Sequence, residues 1–363
     1  MKTKYLKILL LAIISLFLLV GCAGGPLAQS TPGLNANDTH VFLSAVNKVY
    51  KIDLENGMEV WRYPADNTRM VTYAPVMFQD EEFIFGDMFN KLHKLNIDNP
   101  LQKSWESTDA KGWYQAKVAE SDGIVIAPNT DRNIYAFNSN DGSLLWKHED
   151  NFAFISEPLI IGQTVIISSQ NHKILFLDLK TGNEKDQPLD MQGAVMAAPY
   201  YIEETGYIYV GSLGNEFIAI DAKSHKIAWR YDGSIEKLSG IWAKPIYLQG
   251  QLIFNDDKGN IASVDPYSGK ENWVMLEQGK MLAGLAAVND NSFIVAAEDG
   301  SIKLFDIDRK PLLQFNIEKA TIYTTPLVTE KLILIAPVGA EYTLYAYPIE
   351  TTGMPQWTFK PTK

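Results

Sequence analysis

A single phrase repeated eight times constrains this 363-residue chain more than any other feature. An apolar run reaches an Asp or Asn (Pro348 in the last copy), a short turn follows, and a Trp comes eight or nine residues later. Residues 49–53 lead to Trp61, 92–96 to Trp105, 134–138 to Trp146, 217–221 to Trp229, 261–265 to Trp273 and 344–348 to Trp357. Two further copies, 175–178 and 302–306, carry Asp186 and Gln314 where the Trp is expected. The anchors at 53, 96, 138, 178, 221, 265, 306 and 348 lie 40 to 44 residues apart. A repeat of that length, filled with short β-rich runs and lacking a 3.6-residue periodicity, predicts one four-stranded antiparallel sheet per copy. A lone sheet cannot bury both faces, so the copies must stack and close into a ring. The expected fold is all-β, an eight-bladed β-propeller.

We label the strands of each blade A to D from the axis outward, with C ending at the anchor and D carrying the Trp. Strand A is expected to open on Pro75, Pro158, Pro199, Pro245 and Pro326, where a missing N–H costs no ladder bond. Gly57, Gly142, Gly182 and Gly269 each fall four residues after an anchor, where a tight C–D turn needs positive φ. The repeated Trp is expected between adjacent blades, burying on the order of 150–250 Å² each. The seams at Asp186 and Gln314 should then pack differently. Copy 1 lacks a clear proline-led strand A, which either Pro32-Gly33-Leu34 or a strand from the other end must supply.

The N-terminal residues predict the compartment. Lys2, Lys4 and Lys7 precede an apolar run over 8–20 broken only by Ser15, shorter than the ~20 residues of a membrane span. Leu19-Val20-Gly21-Cys22 reads as a lipobox, and Cys22 is the only cysteine in the chain. The expected organisation is a lipoprotein signal peptide over 1–21, a flexible tether over 22–37 from a lipidated Cys22, and the propeller over 38–363. Without a second cysteine there is no disulfide framework, so stability must come from core burial. Ala23 after the cysteine favours the outer membrane, facing the periplasm, if the cell is diderm. The formal charge is −11, and loss of the three signal lysines takes it to −14. No basic run is present, which argues against nucleic-acid partners.

The repeat resembles the pyrroloquinoline-quinone repeat, most closely in Ile134-Tyr135-Ala136-Phe137-Asn138 through Gly142 to Trp146. The resemblance covers nearly all of the expected mature chain and implies the propeller fold. It says less about function, because one fold hosts many roles. Among lipoproteins with eight such repeats, length, lipobox and blade count are similar to those of the propeller lipoproteins of outer-membrane barrel assembly. The Leu-Arg-Gly-containing segment by which such proteins engage their barrel partner is not found here.

Two function classes follow. The first is a non-catalytic, membrane-tethered scaffold of the cell envelope, a monomer within a larger complex, that binds an envelope protein or peptide. The D–A and B–C connections of an up-and-down blade emerge on one face, and the D–A segments are unusually apolar. Trp113, Tyr114, Phe152, Phe154 and Trp242 are the candidate partner-binding rim. The alternative reading of these residues is that they begin strand A and plug the wide axis. The second class is a small dehydrogenase or sensor holding the quinone with calcium at the axis, as the family name implies. The paired cysteines, c-type haem motif and long insertions of the larger quinoproteins have no counterpart in the sequence. The five histidines lie on separate copies without metal-ligand spacing. Among them, His225 reads as an exposed turn residue, and the acidic run 255–260 reads as a B–C hairpin. No catalytic residue and no metal site is assigned.

Overall fold

The computed structural model describes residues 31–66, 68–234, 238–277 and 279–362. The segment read as a signal peptide and Cys22 lie outside the described residues. Eight four-stranded antiparallel sheets follow one another in sequence order, each made from one uninterrupted stretch of chain. The hydrophobic clusters alternate with the sheets, and each draws on two successive blades. The core is therefore the set of seams between blades, as stacking of two-faced sheets requires.

The anchors work through their side chains. Asp53 Oδ1 accepts the N–H of Glu55 and Asn56 at 2.9 and 3.1 Å, and Asp265 Oδ1 does the same for Tyr267 and Ser268. An Asp or Asn here pins the C–D turn by satisfying backbone donors that the sheet leaves free. Gly57, Gly142, Gly182 and Gly269 have φ between 69° and 73°. The expected prolines sit one or two residues ahead of strand A, as at Leu159–Ile161 after Pro158 and Met77–Gln79 after Pro75.

Five of the six repeat tryptophans bridge the seams by one rule. The indole N–H of one blade donates to the carbonyl just past the anchor of the next. Trp61 reaches Ile97 at 2.9 Å, Trp105 Ser139 at 3.0 Å, Trp146 Leu179 at 2.9 Å, Trp229 Pro266 at 3.0 Å and Trp357 Leu54 at 2.9 Å. Four of these rings lie flat against a turn glycine of the next blade, where a Cβ would approach the indole to 2.7 Å or less: Trp357 on Gly57, Trp105 on Gly142, Trp146 on Gly182 and Trp229 on Gly269. These four are buried, whereas Trp61 and Trp273 face turns without that glycine and are only half-buried. Trp273 donates instead to Gln251 of its own blade at 3.1 Å, with Arg309 of the next turn 5.6 Å over its ring.

The seam after blade 4 is built differently, as its missing Trp predicts. The Asp186 carboxylate hydrogen-bonds to Nδ1 of His225, whose ring stacks on Phe176 at 4.2 Å. His225 is thus not an exposed turn residue: its side chain is only 9% exposed. It replaces the turn glycine at the seam where no indole needs the space. Pro188 and its neighbours interrupt strand D of this blade, which is reduced to Leu189–Asp190.

The first blade takes its strand A from Gly33–Ala36, so the ring begins inside the stretch read as tether, ahead of residue 38. Leu34 joins the cluster shared by blades 1 and 8. Gly33 passes so close to the segment joining blades 1 and 2 that a Cβ would lie 2.4 Å from the Tyr73 carbonyl. Blade 8 is complete in itself, and no strand is exchanged to close the ring. Closure rests on Trp357, on Gln356 Nε2 to the Glu55 carbonyl (3.1 Å), on Arg62 to the Thr362 carbonyl (2.8 Å), and on Thr324 Oγ1 to the Pro32 carbonyl (2.9 Å).

Candidate functional site

The D–A crossovers and B–C turns form one face of the ring, stitched by a backbone girdle. In each of seven crossovers one buried residue donates its N–H to the B–C turn of the blade just completed. Thr72 bonds to Val46, Tyr114 to Asp87, Phe154 to Asn129, Val195 to Ser169, Ile241 to Ser212, Met281 to Asp257 and Ile322 to Glu298, at 3.0 to 3.4 Å. The residue just before it accepts an N–H from the turn of the following blade, as Trp113 does from Thr130 at 3.0 Å. Adjacent residues of an extended segment point opposite ways, so burying one of them exposes its neighbours.

This register separates Trp113 from Tyr114 and Trp242 from Ile241, while Phe152, two residues before Phe154, lies in the bend that precedes the extended segment. Tyr114 and Phe154 occupy the buried position and are fully enclosed, in the clusters of the blade 2–3 and blade 3–4 seams. Neither can contact a partner. They fill seams rather than plug the axis, and Gly86 makes room for Tyr114, whose Cβ would be 2.0 Å from a methyl there. Burial pushes the Tyr114 phenol well above its ordinary pKa. Trp113, Phe152 and Trp242 remain exposed, at 45%, 51% and 37%.

Trp113 and Phe152 bracket the same turn, residues 129–132 of blade 3. The Trp113 N–H donates to Thr130 Oγ1 at 2.6 Å, Lys111 N to Asp131 Oδ2 at 2.7 Å, and Asn129 Nδ2 to the Gly112 carbonyl at 3.0 Å. A Cβ on Gly112 would lie 2.5 Å from the Asp131 amide, so only glycine lets the loop lie against the turn. On the other side, Asp150 N donates to the Arg132 carbonyl at 2.9 Å. The Asp150 carboxylate accepts from Ser169 Oγ and Asn171 Nδ2, both at 2.9 Å. Two exposed aromatic rings are therefore carried on backbone already fixed by hydrogen bonds, which limits the ordering entropy a partner must overcome. Trp242 stands apart, three crossovers further round the ring.

Among the described residues no three His, Cys, Asp or Glu converge to hold a metal ion. Lys117 and Glu157, ahead of the inner strands of blades 3 and 4, are paired with each other at 2.9 Å. The run 255–260 is a turn: Asp256 Oδ1 accepts the Lys258 and Asn260 amides.

One cluster escaped the sequence reading. His93 is buried with Asp87 and Glu106 on either side of its ring. A signal existed, since copies 1 and 3 have Tyr50 and Tyr135 at the same place three residues before the anchor, a core position.

A family model described as outer membrane protein assembly factor BamB matches residues 45–197 and 190–311. The outer membrane protein assembly factor BamB of Moranella endobia (strain PCIT) is 20% identical over 236 residues, which are 61% of this chain and 59% of that protein. The chain thus spans about three-fifths of the length of that relative. Among solved structures, BamB from Moraxella catarrhalis superposes with a TM-score of 0.69 at 17% identity, covering 88% of this chain and 93% of that one. The computationally designed Ika8 protein superposes with a TM-score of 0.74, also at 17% identity, covering 88% and 96%. A designed ring matching this well shows that the structural likeness speaks for the fold alone. The family model spans well over half of the sequence and is independent of that likeness, and on it the chain belongs to the family of the outer membrane protein assembly factor BamB.

Proposed function

We propose that this chain is a non-catalytic scaffold of outer-membrane protein assembly, tethered by lipid at Cys22, that holds an envelope protein against its crossover face. The observation that carries the reading is the pair of exposed rings, Trp113 and Phe152, mounted on backbone that hydrogen bonds already fix. Aromatic anchors on rigid elements are the residues that dominate protein interfaces. Family membership supports the assembly role, and the lipobox supports the tether.

The test is crosslinking and pull-down from the native envelope with the full chain. Trp113→Ala with Phe152→Ala should reduce recovery of the partner by about 30-fold or more, as loss of a hot spot worth at least ~2 kcal/mol demands. Recovery equal to wild type would refute the docking face. Trp242→Ala alone tests whether the contact extends across the ring. Separately, Cys22→Ser should move the protein out of the membrane fraction, and its retention there would refute the tether.

A further inference from the structure

His93 lies on strand C of blade 2 (Leu92–Asn96), directly opposite Glu106 on strand D (Lys103–Ser107). Its Nε2 is 3.0 Å from Asp87 Oδ2 and its Nδ1 is 3.3 Å from Glu106 Oε2. The ring stacks on Phe85 at 4.9 Å, and the Tyr63 ring of blade 1 meets it at 6.1 Å across the seam. A neutral imidazole carries one N–H, so either tautomer would turn a lone pair toward one of the two carboxylates, whereas the imidazolium presents an N–H to each, as a hydrogen bond to buried Asp87 and a charge contact with the partly exposed Glu106.

The other charged groups around the ring hold the Glu106 carboxyl ionised. Lys91 and Lys103 contact Glu106 at 2.9 and 2.7 Å. The bond from His93 is the largest influence holding the Glu106 carboxyl far below its ordinary value, against burial, with the two lysines assisting. Asp87 Oδ1 accepts the Phe89 and Lys91 amides. Lys48 of blade 1 is turned away, onto the carbonyls of Pro64 and Asp66. Burial lowers the affinity of His93 for its proton, but the Asp87 and Glu106 bonds outweigh it and raise the ring above its ordinary value.

The cluster connects to the crossover face through the turn that begins at Asp87. The carbonyl of Asp87 accepts the N–H of Tyr114, next to the exposed Trp113. We propose that His93 is a proton-operated clasp that sets how firmly the turn beneath Trp113 is held. With the proton in place the turn, both outer strands of blade 2 and the seam to blade 1 are joined. Without it a lone pair opposes a carboxylate inside the seam. Because the folded ring binds its proton more tightly than an unfolded histidine, the contribution is complete below 6.5 and is lost as pH rises through the folded value.

The purified chain suffices for the test, with no partner, so its outcome is independent of the docking reading above. Titration of the His93 ring by NMR, assigned by its loss in His93→Gln, should give a midpoint above 6.5. Raising the pH through that midpoint should speed exchange of the Phe89, Lys91 and Tyr114 amides by about tenfold beyond the intrinsic chemistry. The Ile241 amide, at the same register on a distant crossover, should not respond. Glu106→Gln should lower the His93 midpoint, which keeps the test decisive if His93→Gln fails to fold. A midpoint at or below 6.5, or exchange at the three amides that ignores the titration of His93, would overturn the clasp.

Discussion

The seam rule can be tested on the glycine beneath one indole. In Gly142→Ala the new methyl would lie 2.7 Å from Cδ2 and Cε3 of Trp105, at a backbone φ of 71°. Left-handed backbone costs an alanine about 1–2 kcal/mol. Forcing a methyl against a buried ring adds about 1–3 kcal/mol, for a total of about 2–5 kcal/mol. Blade 3 supplies its own control. Gly123 has a φ of 76° and nothing within 4 Å of a Cβ, so Gly123→Ala should show the backbone cost of about 1–2 kcal/mol alone. Trp105→Ala removes the ring and its bond to Ser139, at about 3–5 kcal/mol. In that background Gly142→Ala should cost no more than Gly123→Ala, a coupling of about 1–3 kcal/mol. Urea unfolding followed by circular dichroism reads these differences without relying on the tryptophan being removed. Equal costs for the two glycine variants, or an undiminished cost in the Trp105→Ala background, would refute the interlocking of ring and turn.

Two further substitutions probe neighbouring devices. Gly214→Ala would place a methyl 1.3 Å from the Gln192 carbonyl, so the blade 5 turn must separate from its crossover. A loss of at least about 3 kcal/mol is expected, with faster exchange of the Leu213 and Val195 amides, and full protection of both amides would contradict it. His225→Gly relieves a residue at φ 53° but loses the ring stacked on Phe176. A net loss of about 1 kcal/mol in denaturant unfolding is expected, since the Asp186 partner is 53% exposed and contributes little. A gain in stability would show that the histidine is not a substitute latch.

The ring was legible because its determinants repeat. Eight anchors and the turn glycines recur at fixed offsets, so the architecture and the unusual seam after blade 4 could be read directly. The face was legible only in part. Trp113 and Tyr114 are adjacent aromatic residues, and nothing in the sequence says which is buried. The girdle decides it, and the girdle is made of backbone N–H and carbonyl groups common to every residue type. Phe154 takes the girdle position while Phe152 sits in the bend ahead of it, and neither placement is marked by residue type. His225 was misjudged because its offset marks a turn, while its burial comes from Phe176 and Asp186 on the preceding blade. His93 could have been found, as a titratable residue at a position where other copies place core aromatics.

Each blade is spelled by one continuous stretch of sequence, and the join between the last and the first is made by packing and by side-chain hydrogen bonds to main-chain carbonyls. The circle therefore exists in its contacts and not in its covalent thread, which makes the order of reading arbitrary. A gene rearranged to start at the crossover between blades 2 and 3, with a short linker from Thr362 to Pro32, should encode the same eight seams. The eighth junction would become covalent, and a former crossover would take its place as the one held by packing.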